Sequence, residues 1–199
     1  MEYVVGMDEV GRGPLAGPVL ACCVAMDKAS LQTLMVDDSK KLTEKKRNAL
    51  CAKITRHSMA WGIGWCSSQE IDTMNILQAT LCAMQRAFWH CKAPMHTIWV
   101  DGRDCPKLPV NCEAVVGGDA SVPVIAAASI VAKVMRDRWM CAYAKRYPGY
   151  GFEQHKGYGT KAHRQAMDRY GLCDLHRLSF APCQRIAEHC LTEVALLEE

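Results

Sequence analysis

Acidic, basic and glycine residues stand close together near the start of the chain, in the stretch GMDEVGRGPLAG. Asp8 and Glu9 repel phosphate, whereas Arg12 attracts it. Gly11 and Gly13 lack a Cβ atom, so a ligand can approach the peptide groups around them. Metal ions bound to the carboxylates would convert this acidic segment into a phosphate site. The combination therefore predicts metal-dependent chemistry on a phosphate-containing ligand.

Two further aspartates, Asp101 and Asp119, follow predicted strands. Carboxylates at the ends of different strands often converge at one sheet edge, although each could instead cap a helix or turn. Two unit charges about 4 Å apart repel by roughly 4 kcal/mol at an effective dielectric near 20, so a cluster of acids requires protons or cations. Oxygen ligands suit Mg²⁺ or Mn²⁺. Two such ions held by carboxylates are suited to in-line phosphodiester hydrolysis.

These acids need a sheet to position them, and the apolar runs predict one. YVVGM and PVLACCVAM indicate two adjacent antiparallel strands, MAWGIGWCS a third, TIWVDG a fourth, and EAVVGGD a fifth that ends at Asp119. Helices are predicted over Leu42–His57, with Thr43 as N-cap, and over Pro123–Tyr147. The order of strands and helices indicates an α/β fold with a mixed sheet.

Another helix is predicted to open at a capping box formed by Ser67 and Glu70. Its apolar residues recur every three or four positions and predict a stripe that faces the core. The stripe comprises Ile71, Met74, Leu77, Leu81, Met84 and Phe88.

The overall composition is that of an ordinary globular protein, with 50% apolar and 23% charged residues. The sequence shows no apolar run of transmembrane length and no secretory signal, from which we expect a cytoplasmic location. Twelve cysteines occur, but none in a Cys-x-x-Cys pair. CQRIAEHC, from Cys183 to Cys190, could suggest zinc, and free cysteines packed as small apolar residues are the simpler interpretation.

Positive charge is unevenly distributed. Between Lys133 and Arg185 there are eleven Lys or Arg residues against four Asp or Glu, and SKKLTEKKR forms a second basic cluster. This pattern is typical of a polyanion partner, and solvated helix faces are the alternative.

Several motifs together resemble bacterial ribonuclease HII, the type 2 ribonuclease H. The motifs are DEVGRGPLAGPV, DDSKKLTEKKR, VDG, GDASVPVIAAASIVAKVMRD, YGFEQHKGYGTKAH and HRLSFAP. The resemblance implies a ribonuclease H-like fold, with a central mixed five-stranded sheet flanked by helices and a helical C-terminal extension. It implies one catalytic domain over residues 1–199, in which residues 151–199 form the C-terminal loop and helical part.

The resemblance also implies an activity and its residues. The enzyme would cleave the RNA strand of RNA–DNA hybrids and incise 5′ of single ribonucleotides embedded in duplex DNA, using two Mg²⁺ or Mn²⁺ ions and leaving 5′-phosphate and 3′-hydroxyl ends. The implied metal-binding and catalytic residues are Asp8, Glu9, Asp101 and Asp119. The implied nucleic-acid contacts are Gly11, Arg12, Gly13, Ser39, Lys40, Lys41, Lys156 and Tyr158.

Some residues do not fit this assignment simply. Neighbours on a regular strand face opposite sides, so we expect a distortion where Asp8 and Glu9 share a site. Gly118 stands where the family pattern often has lysine. Asp137 is expected on the surface of the long helix or behind the site. The histidines of the YGFEQHKGYGTKAH motif could transfer protons or bond a backbone carbonyl or phosphate.

Two other functions remain open at this stage. A nuclease of the same fold could act on another substrate, although it would have no reason to keep the Gly-Arg-Gly triplet together with Tyr158. A non-catalytic nucleic-acid-binding module would need the basic clusters but not the acids. Nothing in the sequence demands more than a monomer, and the C-terminal LTEVALLEE lacks a peptide of the sliding-clamp-binding kind.

Overall fold

A five-stranded mixed sheet forms the centre of the protein, which is represented by a computed structural model that describes residues 3–34 and 42–188. The strands are β1 (Tyr3–Val10), β2 (Val19–Asp27), β3 (Ala60–Cys66), β4 (Thr97–Asp101) and β5 (Asn111–Val115). Their order in the sheet is β3-β2-β1-β4-β5. β1 is antiparallel to β2 and parallel to β4, while β2 and β3 are antiparallel and β4 and β5 parallel. The predicted ribonuclease H-like sheet is confirmed.

Helices cover both faces of this sheet. They are α1 (Lys28–Leu34), α2 (Glu44–His57), α3 (Ser68–Met74), α4 (Ile76–His90), α5 (Gly118–Ser121), α6 (Pro123–Arg146), α7 (Phe152–His155) and α8 (Lys161–Tyr170), and residues 181–188 are also helical. α3 and α4 pack in the core on one face, and α1, α2 and α6 pack on the other. β2 lies between these layers and is buried along almost its whole length. No helix among the described residues is long and apolar enough to cross a membrane.

Local signals in the sequence position several helices correctly. The Thr43 side chain caps α2, and the capping box of Ser67 and Glu70 opens α3 as predicted. The single helix predicted after that box is wrong, because Asn75 adopts a positive φ of 70° and separates α3 from α4. Its side chain then caps α4 by accepting a hydrogen bond from Gln78 N at 3.1 Å.

The predicted apolar stripe is only partly correct. Leu77 and Leu81 are half-buried, whereas the buried face of α4 is made mainly of smaller side chains. Gly62 and Gly64 of β3 bring α4 so close that a Cβ atom at either glycine would clash with the α4 backbone or the residues just after it. This close approach favours alanines on the helix. The buried α4 residues are Ala79, Thr80, Ala83, Met84, Ala87 and Phe88.

The fifth strand ends earlier than predicted. β5 stops at Val115, and Gly117 with a φ of 68° turns the chain into the short helix α5. Asp119 therefore lies in a helix rather than at a strand end. In the C-terminal part, α7, α8 and residues 181–188 agree with the predicted mixture of loop and helix. The single catalytic domain stays a prediction.

Candidate active site

The sheet opens between β1 and β4, and two aspartates lie at that opening. The parallel pairing of these strands includes Gly6 with Trp99 and Met7 with Val100. Asp8 and Asp101 are the next residues along each chain, so their side chains emerge side by side at the sheet edge. This parallel pairing explains why two acids 93 positions apart in sequence meet.

Glu9 joins the two aspartates to form what we call the carboxylate cluster. One side-chain oxygen from each of Asp8, Glu9 and Asp101 lies within 4.8 Å of the other two. The distortion expected from strand alternation is not found in the pairing, because β1 and β2 stay in register through Val10. Beyond Met7, β1 has left its paired stretch with β4, which lets the longer Glu9 side chain reach the open edge.

Asp119 lies beside the carboxylate cluster without being part of its closest group. Its N–H donates to Asp101 Oδ1 at 3.3 Å. Asp119 and the three residues of the carboxylate cluster line one cavity of about 230 Å³. It does not cap α6, whose N-cap is Val122. α5, and not a strand end, brings Asp119 next to Asp101, and its role as a metal ligand stays a prediction.

Burial and nearby negative charge raise the pKa values of Asp8 and Glu9. The pKa of Asp8 is raised well above its usual value, first by burial and then by the charges of Glu9 and Asp101. Burial also raises the pKa of Glu9, and Arg12 opposes this increase through an ion pair at 3.5 Å. A hard divalent cation bound to these oxygens would offset the same repulsion, so the residues fit Mg²⁺ or Mn²⁺.

The cavity has a lining that sequence reasoning only partly anticipated. Ser129 and Lys133, four residues apart on α6, lie in it together with Arg47 of α2. A hydrogen bond from the Ser129 side chain lowers the pKa of Asp8 and partly offsets burial. The four-residue spacing of Ser129 and Lys133 already indicates, from the sequence, that both side chains lie on one face of a helix. Asp137, one turn further, pairs with Lys133 at 2.8 Å.

Gly13 of the Gly-Arg-Gly triplet lies beside Tyr158, which lines this cavity. Tyr158 is 41% exposed and lines the cavity, and a Cβ atom placed on Gly13 would lie 3.8 Å from its ring. Gly11 has a φ of 93°, which other residues rarely adopt. The structure therefore brings Gly13, Tyr158 and the carboxylate cluster together, with Arg12 paired to Glu9.

The other predicted contacts are less closely associated with the cavity. Lys156 is half-buried, its ammonium group donates to the Glu153 carbonyl, and it does not line the cavity. Ser39, Lys40 and Lys41 lie outside the described residues. A larger groove of about 410 Å³ between α2 and α6 shares Arg47 with the cavity but none of the carboxylate cluster.

The two histidines of the predicted loop bond backbone atoms. His155 Nε2 lies 2.7 Å from the Tyr150 carbonyl, and His163 Nδ1 lies 3.0 Å from the Tyr158 carbonyl. Burial lowers the pKa of His163 to about 4. The backbone-bonding alternative is therefore confirmed, and His163 supports the segment that carries Tyr158.

Comparisons with known proteins identify relatives of this chain in both sequence and fold. The sequence matches the family Ribonuclease HII over residues 5–183. It is 48% identical to the ribonuclease HII of Vibrio parahaemolyticus, over 92% of this chain and 87% of that one. The fold is similar to the crystal structure of ribonuclease H2 from Pyrococcus horikoshii, with a TM-score of 0.80, 26% identity and coverage of 94% and 98%. It also resembles Bst-RNase HIII in complex with Mn²⁺, with a TM-score of 0.73, 17% identity and coverage of 94% and 69%.

Proposed function

Because the chain belongs to the ribonuclease HII family and is a ribonuclease H, a nuclease that acts on RNA–DNA substrates, we propose that it also incises duplex DNA on the 5′ side of a single embedded ribonucleotide. The proposed reaction is hydrolysis with two divalent ions, which leaves 5′-phosphate and 3′-hydroxyl ends. The observation that carries this proposal is the position of Gly13 and Tyr158 beside the carboxylate cluster.

The residues of the cavity have distinct parts in this reaction. Asp8, Glu9 and Asp101 would hold Mg²⁺ or Mn²⁺, and the bound ion would stabilise negative charge that develops on the reacting phosphate. Asp119 donates its backbone N–H to Asp101 and so orients that carboxylate. Lys133 and Arg47 line the cavity and provide positive charge opposite a phosphate.

Selectivity for a ribonucleotide comes from the other side of the cavity. A 2′-hydroxyl both donates and accepts a hydrogen bond, and it distinguishes RNA from DNA at the sugar. The peptide groups around Gly11 and Gly13 can approach it closely because no side chain intervenes. The exposed Tyr158 ring can pack on the next sugar, provided that this sugar lacks a 2′-hydroxyl. Together these contacts select a ribonucleotide followed by a deoxyribonucleotide.

The proposal is tested with three labelled duplexes: one with a single central ribonucleotide, a hybrid with a continuous RNA strand, and an all-DNA duplex. Cleavage is expected for the first two in Mg²⁺ or Mn²⁺, with none in EDTA and none of the all-DNA duplex. The 5′-phosphate on the downstream product is checked by its sensitivity to phosphatase. If the continuous hybrid is cut and the single ribonucleotide is not, reading of the junction by Gly13 and Tyr158 is wrong.

A variant at Tyr158 isolates the contribution of its ring. Tyr158→Ala is expected to lower incision at the single ribonucleotide by about 5- to 150-fold, if the packing of the ring on the sugar contributes as much as the 1–3 kcal/mol of an aromatic–base contact. Tyr158→Phe keeps the ring and serves as the matched control. Both variants should melt near the wild-type temperature, because Tyr158 is 41% exposed and lies outside the hydrophobic core. Equal activity of the alanine variant and the wild type would contradict the role of the ring.

A further inference from the structure

Two arginines are completely buried behind the Gly-Arg-Gly triplet. Arg136 on α6 and Arg177, which follows α8, both have 0% exposure. Burial lowers the pKa of Arg136 to about 10 and that of Arg177 to about 9, so both remain charged at neutral pH. Within residues 3–34 and 42–188, neither forms an ion pair. A buried charge without a counter-ion is strongly disfavoured unless other polar groups replace water around it.

Backbone carbonyls replace that water, and they belong to one loop. Arg177 Nη1 donates to Arg12 O at 2.9 Å, and Nη2 donates to Gly11 O at 2.5 Å. Nε and Nη2 of the same side chain also donate to Gly17 O, at 3.0 and 2.8 Å. One planar guanidinium group therefore holds both ends of residues 11–17.

Arg136 fixes the same loop from a second side. Its Nε donates to Pro18 O at 2.9 Å and its Nη2 to Ala16 O at 3.2 Å. Its Nη1 donates to Lys156 O at 2.9 Å, which ties the loop to the segment that leads into Tyr158. The Arg136 side chain also packs directly on Gly11, where it leaves no space for a Cβ atom.

The bonds to Arg177 determine where the amides of the triplet point. In a trans peptide the C=O and N–H groups point in opposite directions. Because the carbonyls of Gly11 and Arg12 both face Arg177, the N–H groups of Arg12 and Gly13 face the opposite side of the loop. Neither N–H has a hydrogen-bond partner in the described part of the chain. Two neighbouring donors are thus available for one oxygen of a ligand.

We propose that Arg177 is a positioning residue for ribonucleotide recognition, which directs the N–H groups of Arg12 and Gly13 at an oxygen of the ribonucleotide. This inference rests on the proposed function and adds the device that orients its sugar-reading loop. Arg136 contributes by fixing the distance between that loop and Tyr158.

Hydrogen exchange tests the positioning of the loop without any substrate. Arg177→Lys keeps the charge, but a single ammonium group cannot reach the carbonyls of Gly11, Arg12 and Gly17 together. Amide exchange in peptides covering residues 11–18 should become faster in this variant. Arg185→Lys, at an exposed arginine, is the matched control and should leave the exchange unchanged. Unchanged exchange in Arg177→Lys would mean that Arg177 does not hold the loop, and the inference would be abandoned.

Kinetics then separate positioning from general support of the fold. We expect kcat/KM of Arg177→Lys on the single-ribonucleotide duplex to fall at least about tenfold more than on the continuous hybrid, the effect of about one hydrogen bond. A continuous RNA strand offers neighbouring 2′-hydroxyls as substitutes. An equal proportional loss on both substrates would make Arg177 a purely structural residue and overturn the inference. If the wild type ignores the single ribonucleotide, the proposed function fails, while hydrogen exchange still decides whether Arg177 holds the loop.

Discussion

Asp8 is buried beside two other carboxylates, whereas Arg177 is buried beside three carbonyl oxygens. In the carboxylate cluster, burial and neighbouring negative charges raise the pKa values of Asp8 and Glu9, and Arg12 and Ser129 compensate only in part. Around Arg177, backbone dipoles compensate the charge. The carboxylate cluster therefore carries negative charge that a bound cation would compensate. The positive charge of Arg177 is already compensated by the protein, and this side chain serves as a rigid support.

The largest effect should follow from removing one charge of the carboxylate cluster. Asp8→Asn or Asp101→Asn should lower cleavage by roughly 10²–10³-fold, the scale for losing one electrostatic contact to a transition state. Hybrid binding should survive or tighten, because less negative charge repels phosphate. Turnover in saturating Mg²⁺ and affinity in a gel-shift assay provide the measurements.

The control for this comparison is Asp104→Asn, at an exposed aspartate in the β4–β5 connection. It removes the same charge outside the carboxylate cluster and should cleave normally. Near-normal turnover of Asp8→Asn or Asp101→Asn would contradict the assignment of these residues as metal ligands.

Removing the buried charge of Arg136, which backbone carbonyls compensate, should chiefly lower stability. Arg136→Met leaves the carbonyls of Ala16, Pro18 and Lys156 without their donor, at a cost of about 1–3 kcal/mol for each group left unsatisfied. The free energy of unfolding in urea should therefore fall by about 3 kcal/mol or more. Arg138→Met, at an exposed arginine two residues away, should change it little. Equal midpoints for the two variants would show that the buried arginine gives no net support.

Metal and pH should act together on stability through the carboxylate cluster. Because the pKa values of Asp8 and Glu9 are raised above 3.8 and 4.5, the folded protein binds more protons than the unfolded chain in the window above these values. This contribution to stability is fully present below the ordinary Asp value of 3.8 and is lost as pH rises through the raised pKa values. In EDTA, the free energy of unfolding should thus include a component that decreases with pH.

Two measurements isolate that component. In Asp8→Asn the free energy of unfolding should decrease less with pH than in the wild type. Comparing the two proteins cancels the contributions of other titrating groups. Mg²⁺ at ten times its Kd should restore about 1.4 kcal/mol at neutral pH and less near pH 4, where protons compete. A wild type and Asp8→Asn with the same pH dependence in EDTA would contradict the raised pKa of Asp8.

The smallest effect is expected at basic residues away from the carboxylate cluster. If Lys156 and Arg164, an exposed residue of α8, contact phosphates, the logarithm of substrate affinity should fall linearly with the logarithm of salt concentration. Lys156→Gln or Arg164→Gln should each reduce that slope by about one unit. Lys92→Gln is the control. Lys92 is exposed and follows α4, which packs on the face of the sheet opposite to α6. The same experiment applies to Lys40 and Lys41. A slope that no variant changes would place these residues on a solvated surface.

Sequence predicted those parts of the site that local patterns determine. Asp101 ends β4 and Asp8 lies two residues before the end of β1, so the apolar runs that precede them are a local signal of where the acids lie. The division between α3 and α4 was missed because Asn75 resembles an ordinary helical residue unless its positive φ is known. The end of β5 was missed because Val116 continues the apolar run while Gly117 turns the chain.

The contacts of Arg177 had no sequence signal for a different reason. Its partners are carbonyl oxygens, which every residue possesses, and they lie up to 166 positions away. The composition of residues 11–17 therefore could not reveal which side chain holds them. A pattern such as Gly-Arg-Gly predicts that the backbone is accessible, but not what orients it.

The same sequence separation affects the order in which the protein becomes complete during synthesis. Residues 11–17 leave the ribosome early, but Arg177 follows 160 or more residues later, a delay of about 8–30 s at common elongation rates. Contacts between such distant segments close the longest chain loops and tend to form late in folding. The carboxylates of β1 and β4 can therefore assemble before the sugar-reading loop is held in place. A nascent chain would gain metal affinity before it gains substrate discrimination.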